Sequence, residues 1–225
     1  MTQPETSPRR THPAPAELNA DSLELLDLGA ATLGEAGGNP MKPRIRAVWR
    51  GARVAAPAYP VRCSPGDNLA IHVGVAHASP GSVLVADVGD LPERGYWGEV
   101  LATAALSRGL RGLVIDGCVR DTAALETLGF PVFSAGVALR GATKTASGEV
   151  GTRANVGGVE VSAGDWVVGD EDGVVVIPAS ALHGVLDAGR ARAQKEVKLF
   201  DALRSGSTTL ELLGLDGSLV ARHGN

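Results

Sequence analysis

The 225-residue sequence predicts an α/β fold of parallel βαβ units closed by a long C-terminal helix. Three observations predict it. Short apolar runs alternate with helix-like segments between residues 52 and 133, the pattern of strands joined by crossover helices. The chain holds 30 glycines but only 3 Trp, 2 Tyr and 3 Phe, which suits an α/β domain with many tight turns. Apolar residues then recur at helical spacing from Ala179 to Arg204.

The elements follow in order. Residues 1–16 contain Pro4, Pro8, Pro13 and Pro15 and are too poor in apolar side chains to offset the entropy of ordering, so they read as a disordered tail. A helix is expected after Asp21, with Asp21 and Glu24 forming a capping box. Ala52 to Ala58 reads as a strand and Pro65-Gly66-Asp67 as a turn. Asp67 or Asn68 can cap a helix carrying Leu69, Ile71 and Val75, which Pro80-Gly81 ends. Ser82 to Val88 is a buried-strand run, and a loop from Gly89 to Tyr96 leads to a helix from about Gly98 to Gly109. Leu113 to Ile115 is a strand. Asp121 can cap a helix running to Leu128, stopped by Gly129, and Pro131 to Phe133 is the next strand. Gly151 to Pro178 is rich in Val and Gly with three turn sites, which predicts short strands or hairpins. In the last helix Leu182, Leu186, Gly189, Ala193, Val197 and Phe200 mark one face. Residues 207–225 form a C-terminal extension.

Composition excludes several classes of function. The 21 Lys and Arg against 25 Asp and Glu give a net charge of −4, so no broad basic field is available to hold nucleic acid. No apolar run approaches the ~18 residues of a membrane span. The N-terminus lacks the apolar middle of a signal peptide, which makes the cytoplasm the expected compartment. Cys63 and Cys118 fit neither a disulfide framework nor a zinc spacing.

Two stretches could carry chemistry. In Gly112 to Asp121 an apolar strand ends near Asp116-Gly117 and a helix follows Arg120-Asp121. Ligands of parallel sheets collect beyond the carboxyl ends of strands. There Arg120 could bind an oxyanion through two hydrogen bonds, and Asp121 could hold a hard cation. A helix cap beside a solvated Arg explains the pair equally well. In Gly95-Tyr96-Trp97-Gly98-Glu99-Val100-Leu101 a helix again opens after a strand. Its first amides could bind an anion, and Gly98 would allow a ligand close to the backbone. Glu99 taken alone is well explained as a first-turn acid favoured by the helix dipole.

Together these stretches resemble the RraA-like family and, within it, the 4-hydroxy-4-methyl-2-oxoglutarate and 4-carboxy-4-hydroxy-2-oxoadipate aldolases. The matching segments occur in order: Ala31 to Ala36, Pro65 to Ala70, Trp97 to Leu101, Gly112 to Asp121, Ala163-Gly164-Asp165 and Gly169 to Pro178. The resemblance covers about residues 24–204. It implies a swivelling β/β/α-type domain, taken here as 17–206, with metal-dependent cleavage of 4-hydroxy-2-oxo acids to pyruvate and decarboxylation of oxaloacetate. Asp121 would be the protein ligand of Mg²⁺ or Mn²⁺, and Arg120 would bind the keto or enolate oxygen. Gly98 and the amides of Val100 and Leu101 would receive the pyruvate carboxylate. Glu99 matches an acid that hydrogen-bonds metal-bound water, and Glu196 one that arrives from a neighbouring subunit of a homotrimer or of a hexamer built from trimers. The expected partners are thus a small oxo acid and further copies of the chain, with no nucleic acid or membrane. RraA itself resembles this fold yet inhibits an RNA-degrading endonuclease, so a non-catalytic regulator is the rival reading, and an RraA-like lyase for another oxo acid is a second alternative.

The remaining candidates read as structural. Cys118 reads as packing, because no His is near in sequence. His72 and His77 are five apart, unlike the i, i+4 pair of a zinc helix, and read as solvated or capping. Asp170-Glu171-Asp172 reads as a tight turn. Lys144 and Val137 to Arg140 fall where the family varies and could line the part of the pocket that reads the substrate's tail.

Overall fold

The computed structural model describes residues 18–221. The tail expected over residues 1–16 lies outside the described residues, as do the last four residues of the extension. The order is α1 (Ala20–Glu35), β1 (Asn39–Pro40), β2 (Arg46–Ala47), β3 (Val54–Cys63), α2 (Leu69–His77), β4 (Val83–Asp87), β5 (Gly95–Trp97), α3 (Glu99–Ser107), β6 (Gly112–Val119), α4 (Thr122–Leu128) and β7 (Val132–Val137). Then come β8 (Gly148–Val150), β9 (Arg153–Val156), β10 (Val159–Ser162), β11 (Trp166–Gly169), β12 (Val174–Ile177), α5 (Leu182–Arg204) and α6 (Thr209–Leu213).

Strands β3, β4, β6 and β7 pair in parallel, joined by α2, α3 and α4, as the alternating pattern requires. The sheet is mixed at its margins. The first half of β3 pairs antiparallel with β11, which pairs with β12, and β2 pairs antiparallel with β7. Strands β9 and β10 form the hairpin expected from the turn at Gly157-Gly158. Side chains alternate across the parallel strands. Leu84, Ala86, Leu113 and Ile115 face α2, α3 and α4, meeting Ile71, Ala102 and Leu125. Val83, Val85 and Val114 face the hairpin, meeting Ala154, Val156 and Val161. A third cluster, with Leu25, Leu33, Val175, Ile177, Leu182 and Val185, seats α1 and the first turns of α5 on β11 and β12. Each such aliphatic side chain contributes about 1.5–3 kcal/mol on burial.

Several expectations need correction. Helix α1 starts at Ala20, capped by Asn19, whose side chain accepts from the Ser22 amide at 2.8 Å. Asp21 lies inside the first turn and makes no capping box, because Glu24 instead pairs with Arg190 on α5. Gly95 to Trp97, expected in a loop or at its end, forms a short strand parallel to β6. β6 itself does not stop at Asp116. It continues to Val119 through an irregular register against β7, so Arg120 follows the strand directly. The 3-10 turn Ala179–Ala181 precedes α5, and only the first part of the predicted apolar face of α5 is buried. Among the described residues no helix is long and apolar enough to cross a membrane.

Candidate active site

Beyond the carboxyl end of β6 lies a cleft of about 280 Å³, walled by the starts of α2 and α3, the β6–α4 corner and the 141–144 loop. It holds Gly98, Val100, Leu101, Arg120 and Asp121 among its lining. The two stretches singled out by sequence are therefore brought together. Their junction is tied by backbone and side chain. The Arg120 amide donates to the Trp97 carbonyl at 2.9 Å, and the Glu99 amide donates to Asp121 Oδ2 at 3.1 Å.

Asp121 departs from the helix-cap explanation. It occupies the N-cap position of α4 but makes no side-chain cap bond to that helix. Its backbone is left-handed, φ 57° and ψ 38°, and it is the one non-glycine residue with positive φ among the described residues. Left-handed backbone costs ordinary side chains about 1–2 kcal/mol, and Asp is among those that tolerate it. The conformation turns the carboxylate across the corner to the first turn of α3. Oδ2 takes the Glu99 amide, and Oδ1 has no hydrogen-bond partner among the described residues.

Gly98 makes this approach possible. A Cβ at that position would stand 2.3 Å from Asp121 Oδ2 and 3.2 Å from Arg120 Cγ. At Gly95 a Cβ would meet the Ala138 carbonyl at 2.6 Å and Arg120 Cδ at 3.1 Å. The Arg120 stem thus runs beneath two glycines. Its Nε lies 3.8 Å from Asp121 Oδ2, with both side chains over 40% exposed, at 46% and 42%. Such an exposed pair is worth under about 1 kcal/mol, so the guanidinium stays available to a ligand. The first-turn amides of α3 have no i−4 acceptors and point, with the positive helix end, toward the same space. Val100, which lines the cleft, and Glu99, which does not, are both exposed.

Glu196 does not line this cleft in its own chain. Its carboxylate pairs with Arg192 at 2.9 Å, and Arg192 also pairs with Glu35. Lys144 does line the cleft. Cys118 is buried, and burial raises its thiol pKa, as a packing role requires. Asp170 Oδ1 accepts from the Asp172 amide, so that acidic trio is a turn.

Three residues of the site escaped the sequence reading. His72 is not a solvated helix residue: it is half-buried in the cleft wall, and burial first, then the Lys144 ammonium, lowers its pKa against the opposing pull of Asp67. Asn68, 5% exposed, donates through Nδ2 to the Tyr96 carbonyl at 2.7 Å. Tyr96 is buried, its hydroxyl accepting from the Gly66 amide and donating to the Leu91 carbonyl. The i, i+4 spacing of Asn68 and His72 was the available signal, since it sets both on one helix face. A second hollow, about 470 Å³, opens at the opposite end of the parallel strands among Pro57, Pro80 and Gly164, away from these residues.

A Halalkalibacterium halodurans protein named "Putative 4-hydroxy-4-methyl-2-oxoglutarate aldolase" is 36% identical over 140 residues, 62% of this chain and 67% of that one. The crystal structure of an uncharacterized protein from Pseudomonas syringae matches with a TM-score of 0.71 at 28% identity, over 81% of this chain and 93% of that one. The structure of the RNA-processing inhibitor RraA from Thermus thermophilis matches with a TM-score of 0.58 at 28% identity, over 63% and 86% respectively. The family model described as RraA-like, Aldolase/RraA, matches residues 23–176, a span that includes both walls of the cleft, and the chain belongs to that family.

Proposed function

We propose that the protein is a divalent-metal-dependent lyase that releases pyruvate from 4-hydroxy-2-oxo acids of the 4-hydroxy-4-methyl-2-oxoglutarate type and also decarboxylates oxaloacetate. The observation that carries this reading is Asp121, held in left-handed backbone against the opening turn of α3 with Arg120 beside it. Backbone outliers held by surrounding structure cluster at active sites and ligand clamps.

The residues fit a magnesium or manganese ion. Among the described residues no group of three or more His, Cys, Asp or Glu side chains converges to enclose a metal. A single half-exposed carboxylate with a free oxygen leaves the remaining positions to water and substrate, which suits Mg²⁺ or Mn²⁺ and not a caged zinc. When bound, the cation would supply Lewis-acid stabilisation to the oxygens of a 2-oxo acid. The amides of Val100 and Leu101 would hold the substrate carboxylate, with Gly98 keeping the approach open. Arg120 would hydrogen-bond the keto oxygen and share the negative charge that arrives there as the carbon–carbon bond breaks. Glu99 would add a second carboxylate at the mouth, and Glu196 would arrive from a neighbouring protomer of a trimer or hexamer.

The likeness to the Thermus inhibitor supports a second reading, a non-catalytic protein that binds a ribonuclease. A binding surface alone gives no reason to strain Asp121. The deciding experiment is pyruvate release by purified protein from a panel of oxo-diacids, with Mg²⁺ and with excess chelator. Lyase activity that chelator abolishes supports the first reading. No release from any oxo-diacid, or full activity in chelator, overturns it.

A further inference from the structure

Lys144 lines the candidate active-site cleft, and its backbone is held on both sides. Asp67, 2% exposed, accepts through Oδ2 from the Thr143 hydroxyl at 2.8 Å, the Thr145 amide at 2.6 Å and the Ala146 amide at 3.1 Å. The Thr143 amide donates to the Gly66 carbonyl, and the Asn68 amide to the Thr143 carbonyl, each at 2.9 Å. A lysine that only meets solvent needs no such support. Here the residues before and after Lys144 are fixed to the opening of α2, and the root of its side chain is fixed with them.

Among the described residues no Asp or Glu stands within salt-bridge distance of this ammonium. Its field is felt in the cleft wall, where burial first and Lys144 next lower the His72 pKa. The same loop reaches Arg120 at its other end. A Cβ at Gly141 would stand 3.7 Å from Arg120 Nη1. Lys144 follows three residues later, a span of at most about 11 Å. One short loop thus brings two cations to the cleft, and Asp121 is the one carboxylate among the described residues that line it. On the wall near Lys144, Asn68 Oδ1 and His72 Nε2 are buried without a hydrogen-bond partner. Unpaired buried polar atoms are rare, and a wall that carries them suits the polar end of a ligand better than an alkyl one.

We propose that Lys144 binds the carboxylate at the far end of the substrate and so selects 4-hydroxy-2-oxo diacids over monoacids of the same length. The proposal rests on the lyase reading above. With the first carboxylate on the α3 amides and the keto oxygen at Arg120, the rest of the chain runs toward the 141–144 loop, where its last carboxylate meets the ammonium. A charge-assisted hydrogen bond there favours a carboxylate. A methyl group in the same place would cover the ammonium without giving it a partner. Lys144 takes no part in breaking the C3–C4 bond, so its role is specificity.

The test uses 4-hydroxy-2-oxoglutarate and 4-hydroxy-2-oxopentanoate, which differ at C5 alone, carboxylate against methyl, and which both give pyruvate when C3–C4 breaks. Their kcat/KM values are measured with Mg²⁺ in wild type and Lys144→Met, with thermal melting to check the fold. Comparing ratios removes the different intrinsic reactivities of the two substrates. Lys144→Met should lower the diacid-to-monoacid ratio by about 10- to 100-fold, the range for losing one hydrogen bond to a charged group. A second readout needs no turnover. Calorimetry with Mg²⁺ should show wild type binding 2-oxoglutarate more tightly than 2-oxopentanoate, and Lys144→Met losing most of that difference. An unchanged ratio in folded Lys144→Met, or a wild type that binds the two unreactive acids equally, would overturn the proposal alone, since pyruvate release would leave the lyase reading standing. Wild type that releases pyruvate from neither hydroxy acid would overturn the lyase reading and this proposal with it.

Discussion

Asp121 carries a backbone cost that its own helix does not repay. A capping carboxylate would bond the second or third amide of α4, but Asp121 bonds the first amide of α3 instead. Removing its charge should therefore cost the fold little. Asp121→Asn keeps a side chain that tolerates left-handed backbone. It should reduce pyruvate release at least 100-fold with a stability change under about 0.5 kcal/mol, since no buried network is broken. Asp121→Ala should lose the same activity and about 1 kcal/mol more, because alanine is strained at φ 57°. Urea titration beside a pyruvate assay separates the two effects. Equal stability of both variants would show that the strain is not there. Gly98→Ala tests the same carboxylate from outside. Its methyl group would arrive 2.3 Å from Asp121 Oδ2, so the carboxylate must move. Activity should fall as far as in Asp121→Asn, at a stability cost of about 1–3 kcal/mol. A fully active Gly98→Ala enzyme would mean that the observed position of Asp121 is not the working one. The pairing of Arg and Asp after an apolar strand was legible in the sequence. The left-handed turn was not, because a tertiary contact to Glu99 selects it and no local pattern encodes that contact.

The opening of α2 shows how one element secures the opposite wall of the cleft. Sequence offered Asp67 or Asn68 as alternative caps, and the structure gives them separate tasks. Asp67 Oδ1 accepts from the Leu69 amide, while Oδ2 accepts from the Thr143 hydroxyl and the Thr145 and Ala146 amides. This clamps the loop that carries Lys144. Burial alone would raise the Asp67 pKa, but these hydrogen bonds outweigh it and bring it down to about 2. A depressed carboxylate stabilises the fold in full above its unfolded pKa of about 3.9, and that contribution is lost as pH falls through about 2. Melting temperature should thus drop between about pH 4 and pH 2. Asp67→Asn should lose on the order of 2 kcal/mol at pH 7 and show a flatter profile across that window. An equally steep profile in the variant would assign the acid transition elsewhere. Nothing in sequence spacing could show the clamp, because its partners lie 76 to 79 residues away. The βαβ order, by contrast, was legible because each parallel strand is a short apolar run between turn signals. The far end of β6 was not legible, since Asp116 and Gly117 interrupt its apolar pattern while its backbone pairing continues.

For the whole molecule, the unfinished surface is the C-terminal half of α5. Periodicity marked Leu182, Leu186, Gly189, Ala193, Val197 and Phe200 as one face, and the chain buries only Leu182, Leu186 and Gly189 deeply, with Val185. Val197 and Phe200 are 59% and 47% exposed, and Leu210, Leu213 and Leu215 of the following segment are exposed as well. Periodicity identifies a face that must be covered but not which molecule covers it. Val100 in the cleft lining, and Val137 and Leu139 at and beyond the end of β7, are exposed apolar side chains as well. Where such side chains adjoin in one patch they mark interaction sites. Glu196 sits on α5 between Arg192, with which it pairs within its own chain, and the exposed Phe200. If α5 of one copy lies over the cleft mouth of the next, exposed apolar side chains of both are covered and Glu196 approaches Asp121 and Glu99. Such a head-to-tail contact gives a ring where its rotation closes, and the family resemblance implies a trimer or a pair of trimers. Sedimentation should therefore find no active monomer. Asp121→Asn and Glu196→Ala proteins, each inactive, should regain up to about one quarter of wild-type activity when dissociated and reassembled at equal concentration. That is the share of interfaces in which a chain with intact Asp121 receives Glu196 from an Asp121→Asn neighbour. Mixed oligomers that exchange subunits yet stay inactive would show that Glu196 does not complete the neighbouring site.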